Sequence, residues 1–326
     1  MKNLIKRALI GVLAGVMLVT SPAVARASEV SETSEKGAKL RQQVQEAIDN
    51  PRKLLNELGY PSGAFKDAGV LKSTDYEGAD FEYHKKNSYL SSDVVYFKIE
   101  DDSTIRMIGS DNSSGAIMID GIKGFYGLDF DKIIVDSFEG NKKLTRFSCA
   151  CDVPIFLSKN CFKDCTNLRS FTVFGLTHGL ANIPDGAFKN CKKLSDNITI
   201  DANKVDKIGK SAFENCTNLD SFKIRNAHKF KSIGDSAFKN CKGLSYVYFN
   251  SDKFRNRKAV LKYYKTHKKI KFGKKAFRGT STDCKEAWFI VGNNSPLSDY
   301  YGGSTNCSGF ATGDLPGHFL VGYVDK

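Results

Sequence analysis

Six phenylalanines, Phe138, Phe162, Phe188, Phe213, Phe238 and Phe277, stand in one recurring phrase, and that repetition restricts the fold more than anything else in the chain. An apolar residue lies five places before each of them: Ile133, Leu157, Ile183, Ile208, Ile233 and Phe272. Cysteine follows at +3 after four (Cys165, Cys191, Cys216, Cys241), and leucine at +6 after five (Leu144, Leu168, Leu194, Leu219, Leu244). The phenylalanines are 24, 26, 25, 25 and 39 residues apart. Self-similarity at a period of roughly 20–50 residues signals a solenoid, in which each unit buries its apolar face only by stacking on its neighbours.

Within a unit the leucine opens a strand whose inward residues come three and five places later. These pairs are Phe147 and Cys149, Phe171 and Val173, Phe222 and Ile224, and Val247 and Phe249. The third unit carries one extra residue, so Ile198 and Ile200 serve there. Leu-x-x-apolar-x-apolar predicts one parallel strand per turn of the coil, with alternate side chains pointing out. The fold class expected is therefore a β-rich α/β solenoid with one parallel strand per unit of about 25 residues. A small α+β N-terminal region precedes it. The Ala-Phe half of each unit is expected to form the opposite wall.

The register also bears on the nine cysteines. Equivalent positions in successive units carry parallel Cβ vectors about 4.8 Å apart, whereas a disulfide needs converging Cβ atoms about 3.8 Å apart. Cys165, Cys191, Cys216 and Cys241 therefore read as buried thiols. Cys149 stands where Val173 and Ile224 stand in other units, and Cys161 where Ala187, Ala212 and Ala237 stand. Both read as small core residues. Cys151 and Cys307 are left without a core role, and Cys284 is open to either reading.

The segment Ile-Gly-Asp-Ser-Ala-Phe-Lys-Asn-Cys-Lys-Gly-Leu, Ile233 to Leu244, resembles the BspA-like leucine-rich repeat. Ile208 to Leu219 and Ile183 to Leu194 resemble it nearly as well. The resemblance implies a leucine-rich-repeat coil. It also implies an exported or surface protein of a microbe that binds host or bacterial surface molecules, with no particular ligand fixed. In the last unit Thr280 replaces the cysteine, as in a capping unit.

Lys2, Lys6 and Arg7 precede an apolar run from Ala8 to Val19, and Ala25-Arg26-Ala27 supplies a small-x-small cleavage site. Residues 1–27 read as a secretory signal peptide. The run is too short for the roughly 18 residues of a membrane span. A secreted or cell-surface location follows, with no recognisable covalent anchor. In the N-terminal region, residues 28–130, Leu40, Val44, Ala47 and Ile48 fall at helical spacing. Asn50 and Pro51 open a second short helix ending at Gly59. Val94 to Ile99, Thr104 to Ile108 and Ala116 to Ile119 read as a small antiparallel meander capping the coil. The repeats are placed at 131–292, and a C-terminal tail at 293–326 carries two aromatic runs, Tyr300-Tyr301 and Phe319 to Tyr323.

The net charge of +13 falls to +9 without the four basic residues of the signal. It is concentrated: Lys253 to Lys275 holds eleven Lys or Arg and no Asp or Glu. That cluster lies in an insertion, residues 252–272, which lengthens the last gap. Lys258, Lys262, Lys265, Lys268, Lys269 and Lys271 are the candidate contacts to an anionic surface polymer. The dominance of lysine favours diffuse attraction over bidentate recognition. Among outward strand positions, Phe174, Lys223, Arg225, Tyr246, Tyr248 and Trp288 are candidate contacts to an extracellular protein or glycan, because solenoids bind extended partners on such a face.

Enzyme signatures are sparse. The five histidines are scattered, there is no His-Glu-x-x-His or paired Cys-x-x-Cys, and no cofactor or metal is expected. Nucleic acid is not an expected partner of an exported chain. Cys307 and His318 echo the Cys and His segments of papain-like wall peptidases. Ten residues between them are too few for the strands that normally return a histidine to its nucleophile. The reading is a non-catalytic recognition or adhesion-type protein; the alternative is a wall-associated enzyme or enzyme accessory using Cys307 and His318.

Overall fold

The computed structural model describes residues 22–50, 69–85, 92–120, 127–136, 138–151, 153–174, 179–196, 198–244, 246–250, 271–280, 287–292 and 319–323. A helix, α1 (Pro22–Asp49), leads into the sheets. It begins ahead of the expected cleavage site. Leu40, Val44 and Ala47, spaced four and three apart, are buried, which is the stripe that a helix turns toward a core. Gly37 donates its N–H to the Asp101 carbonyl at 3.0 Å. A Cβ there would meet the Asp101 Cα at 2.7 Å, so only glycine lets the helix approach that turn. Arg41 then reaches the Ile99 carbonyl at 2.7 Å.

Four strands follow in antiparallel order: β1 (Val70–Lys72), β2 (Phe81–His84), β3 (Val95–Ile99) and β4 (Thr104–Ser110). β4 is the joint of the molecule. One edge pairs antiparallel with β3, and the other pairs parallel with β6 (Lys132–Val135), Ile105 lying beside Ile133. The wall continues through β8 (Pro154–Leu157) and β10 (Gly179–Leu180). Where the next backbone ladder lapses, the Asn182 side chain takes over. Its Oδ1 accepts from the Leu157 N–H at 2.7 Å, and its Nδ2 donates to the Leu157 carbonyl at 2.9 Å. A bridge from Ile183 to Ile208 resumes the wall in β12 (Lys207–Ile208), β14 (Ser232–Ile233) and β16 (Lys271–Phe272).

The opposite wall holds the longer strands. β5 (Ala116–Asp120), β7 (Arg146–Ala150) and β9 (Ser170–Phe174) form one parallel sheet. β11 (Ile198–Asp201), β13 (Ser221–Arg225), β15 (Tyr246–Asn250), β17 (Ala287–Gly292) and β18 (Phe319–Tyr323) form the next, parallel throughout. The molecule is thus a β-solenoid with little helix among the described residues. Its register is the one expected from the repeat: Ile198 beside Phe222 beside Val247, and Phe147 beside Phe171.

Three expectations are corrected. Ala116 to Ile119 is not the third strand of a meander; it pairs in parallel with β7 as the first rung of the long-strand wall. Alternation alone cannot distinguish a hairpin from a coil corner. What decides is that Ile117 and Ile119 extend the core beyond Phe147 and Cys149. Phe319 to Tyr323 is not tail but a rung beside β17. Cys151, left without a core role, is buried, with its sulfur 3.6 Å from that of Cys149. Asn50 to Gly59 and Tyr300-Tyr301 lie largely or wholly outside the described residues.

The core between the walls is a column of rings. Phe162 stacks on Phe188 at 5.5 Å, Phe188 on Phe213 at 5.1 Å, Phe213 on Phe238 at 5.1 Å and Phe238 on Phe277 at 5.2 Å. Phe171 and Phe222 meet this column edge-on from the strand side. Each buried phenylalanine contributes about 1.5–3 kcal/mol of transfer free energy. The offset stack and edge contacts add to that.

Candidate functional site

The long-strand sheet offers the outward face on which the candidate ligand residues were placed. Phe222, Ile224 and Val247 are buried, so positions 223, 246 and 248, which alternate with them, fall on the other face. Register brings Ser221, Tyr246 and Trp288 into one row, and Thr199, Lys223, Tyr248 and Ile290 into the next. Tyr246 and Trp288 are 42 residues apart in sequence yet occupy adjacent strands about 4.8 Å apart. Arg225 is exposed at the end of β13 beside Asp201. Burial raises the Asp201 carboxyl, but it is held below its usual value by hydrogen bonds from Asn226 and Asn203 and by the charge of Arg225.

Phe174 does not join this group. It belongs to β9, whose sheet ends before β11 begins. The extra residue of the third unit explains the break. Phe171 gives its N–H to the Asp196 carboxylate at 3.0 Å instead of to a strand carbonyl. The face is therefore divided, and Lys223, Tyr246, Tyr248 and Trp288 all lie on the C-terminal part. That division escaped sequence reasoning, although the inserted residue was visible.

Of the candidate polyanion contacts, Lys271 is placed at the start of β16 and is exposed. Lys258, Lys262, Lys265, Lys268 and Lys269 lie outside the described residues, as do Cys307 and His318. Among the described residues no group of three or more His, Cys, Asp or Glu is arranged to hold a metal ion. No described helix is long and apolar enough to cross a membrane.

The turns that lead from the short strands to the long strands are fixed by polar ladders. The Cys165, Cys191, Cys216 and Cys241 thiols donate to the carbonyls of Phe138, Phe162, Phe188 and Phe213 at 2.9–3.0 Å. Burial pushes these thiols up, that of Cys165 to about 12. They are donors and packing atoms, not nucleophiles. Asn190, Asn215 and Asn240 sit at φ of 63°, 64° and 60° and join side chain to side chain at 2.6 and 2.9 Å. Glu214 is buried between Lys189 at 2.9 Å and Lys239 at 2.8 Å. Burial raises its carboxyl, but the hydrogen bonds from Lys239 and Lys189 outweigh that and hold it at about 2.

Stacked parallel rungs on a repeated leucine and phenylalanine core define a leucine-rich-repeat solenoid. Residues 131–266 match the BspA type leucine-rich repeat region in six copies, and this stretch of the chain is a BspA-type leucine-rich repeat. The coil runs past both ends of the matched segment, from β4 and β5 to β18. Solved structures that match include a leucine-rich repeat protein from Bacteroides ovatus ATCC 8483. It is 21% identical with a TM-score of 0.36, over 54% of this chain and 37% of that one. A leucine-rich repeat protein of T. pallidum matches at 21% identity and a TM-score of 0.37, over 56% of this chain and 87% of its own. The chain thus spans little more than a third of the Bacteroides protein. The comparison with curated proteins gives no match.

Proposed function

We propose that this chain is an exported, non-catalytic recognition protein that binds an extended partner, a surface protein or glycan, on the C-terminal half of its long-strand face. The observation that carries this reading is the register of β13, β15 and β17, which gathers Lys223, Tyr246, Tyr248 and Trp288 into adjacent rows. Tyrosine and tryptophan are the residue types richest in interface energy. A solenoid presents them along a line suited to an extended ligand. The BspA-type repeat supports an interaction role of this kind. The leader-like residues 1–27 support export.

The test is a protein and glycan array with the protein and with Tyr246→Ala, Tyr248→Ala and Trp288→Ala. Binding that falls roughly tenfold or more in at least two variants, with unchanged melting temperature, is the expected result. Binding indifferent to all three would remove the reading.

A further inference from the structure

The short-strand wall carries a second surface of different chemistry, independent of the long-strand face. β12, β14 and β16 align Lys207, Ser232 and Lys271 in one row. Three residues on, where the chain has left each strand and entered the turn, Lys210, Asp235 and Lys274 stand at matching positions. That correspondence is fixed by two hydrogen bonds, from the Gly234 N–H to the Ile208 carbonyl at 2.8 Å and from the Gly273 N–H to the Ile233 carbonyl at 2.7 Å. Lys207, Lys210, Lys271 and Lys274 are all exposed.

Two strand spacings separate Lys207 from Lys271, and three residues of chain separate each row from the next. The four lysine positions therefore form the corners of a patch about 10 Å wide across the coils, with Lys207 and Lys271 on the strands and Lys210 and Lys274 in the turns after them. One carboxylate lies between the corners, that of Asp235. It already accepts the Lys274 backbone N–H at 2.7 Å. The Asp185 carboxylate accepts the Lys210 N–H at 2.6 Å in the same way. These two acids serve the turns, and the four ammonium groups are left to set the sign of the field. At about 0.1 M salt the Debye length is about 10 Å, so charges this far apart reinforce one another at an approaching anion. The chain entering β16 continues the same sign in sequence, with eight Lys or Arg and no acid between 253 and 269.

We propose that this wall is a docking surface for an extended polyanion, a polymer bearing sulfate or phosphate groups along its length. Compact lysine charges about 10 Å apart suit repeated anionic groups on a flexible chain. They do not suit a single planar group, which arginine forks would grip. The polymer crosses the coils, contacting Lys207 and Lys210 on one coil and Lys271 and Lys274 two coils on.

The test uses heparin as the sulfate probe, poly(glycerol phosphate) as the phosphate probe and dextran as the uncharged control, at about 50 mM and about 200 mM salt. The protein is compared with the quadruple variant Lys207→Gln, Lys210→Gln, Lys271→Gln, Lys274→Gln. A second quadruple, Lys142→Gln, Lys143→Gln, Lys192→Gln, Lys193→Gln, removes the same charge from exposed lysines of the turns elsewhere on the coil. The expected result is a roughly tenfold or greater loss for the first and less than about threefold for the second, with a shallower salt dependence in the first alone. Lys271→Glu by itself serves should the quadruple fold poorly, with loss of polymer binding expected. Binding of one probe and not the other identifies the anion and supports the site. Equal losses in the two quadruples, no loss in the first, or no binding of either polymer overturns the proposal. Tyr246→Ala leaves polymer binding unchanged, so this surface and the long-strand face stand or fall separately.

Discussion

The Cys216 thiol donates to the backbone carbonyl of Phe188, 3.0 Å away and one coil earlier. The same pairing recurs from Cys165 to Phe138, Cys191 to Phe162 and Cys241 to Phe213. The cysteine at +3 thus fills core volume and also gives a second donor to a buried carbonyl, which in Phe188 already accepts the Cys191 N–H at 3.0 Å. Cys216→Ala is expected to destabilise by about 1–3 kcal/mol in urea unfolding. Cys216→Val, with volume but no donor, is expected to recover only part of that.

The same geometry bears on redox state. All seven described cysteines are free and buried. Dithionitrobenzoate at pH 8 is expected to find none of them in the native protein and at least seven after denaturation without reductant. Fewer than five free groups in the denatured chain would show cross-links that the register disfavours.

Glu214 makes stability depend on acid. Its carboxyl is held at about 2 in the folded protein against an ordinary 4.5. A folded value below the unfolded one means the contribution is complete above about pH 4.5 and is lost as pH falls toward 2. With Lys189 and Lys239 each about a third exposed, screening reduces the contribution to about 1–3 kcal/mol. Urea unfolding of the protein and of Glu214→Gln should differ by that amount at pH 7 and converge only at about pH 2 or below. A difference that does not change with pH would contradict this account.

Asn215 has φ of 64° and lies in the middle of the asparagine ladder, donating to Asn190 and accepting from Asn240. Asn215→Gly removes the bonds but suits the left-handed backbone, whereas Asn215→Ala removes the bonds and adds strain. Losses of about 1 kcal/mol for glycine and about 2 kcal/mol for alanine are expected in thermal melts. The order is the test. Gly279 shows the converse: at φ 73°, a Cβ would meet the Asn240 Oδ1 at 2.7 Å.

Asp196 joins the two halves of the long-strand wall through the Phe171 amide. Asp196→Ala should leave that amide without its acceptor, raising its hydrogen exchange tenfold or more while amides within β13 keep their protection. Uniform protection across both would mean the carboxylate is not what closes the break.

Much of the fold was legible because the coil is nearly one-dimensional. In a solenoid the sequence period is the spatial period, so Phe188, Phe213 and Phe238 had to stack and Ile198, Phe222 and Val247 had to share a row. The rows in which Tyr246, Tyr248 and Trp288 stand were legible for the same reason. The N-terminal joint was not. β4 pairs antiparallel on one side and parallel on the other, and the alternating pattern of Thr104 to Ile108 is identical for either partner. Asn182 standing in for a strand, and Asp196 for a carbonyl, were hidden too, since a lone polar side chain shows no period.

By itself, then, the sequence determined the repeat, the inward and outward alternation and the burial of the repeat cysteines Cys165, Cys191, Cys216 and Cys241, because each follows from spacing and side-chain volume. Only the tertiary structure decided where the coil begins, that Ala116 to Ile119 and Phe319 to Tyr323 are rungs, and that Phe174 stands apart from Tyr246. It alone set Lys207 and Lys271 two strands apart on one wall. Those outcomes depend on which strand edges meet, and a strand carries the same residues whichever neighbour it finds.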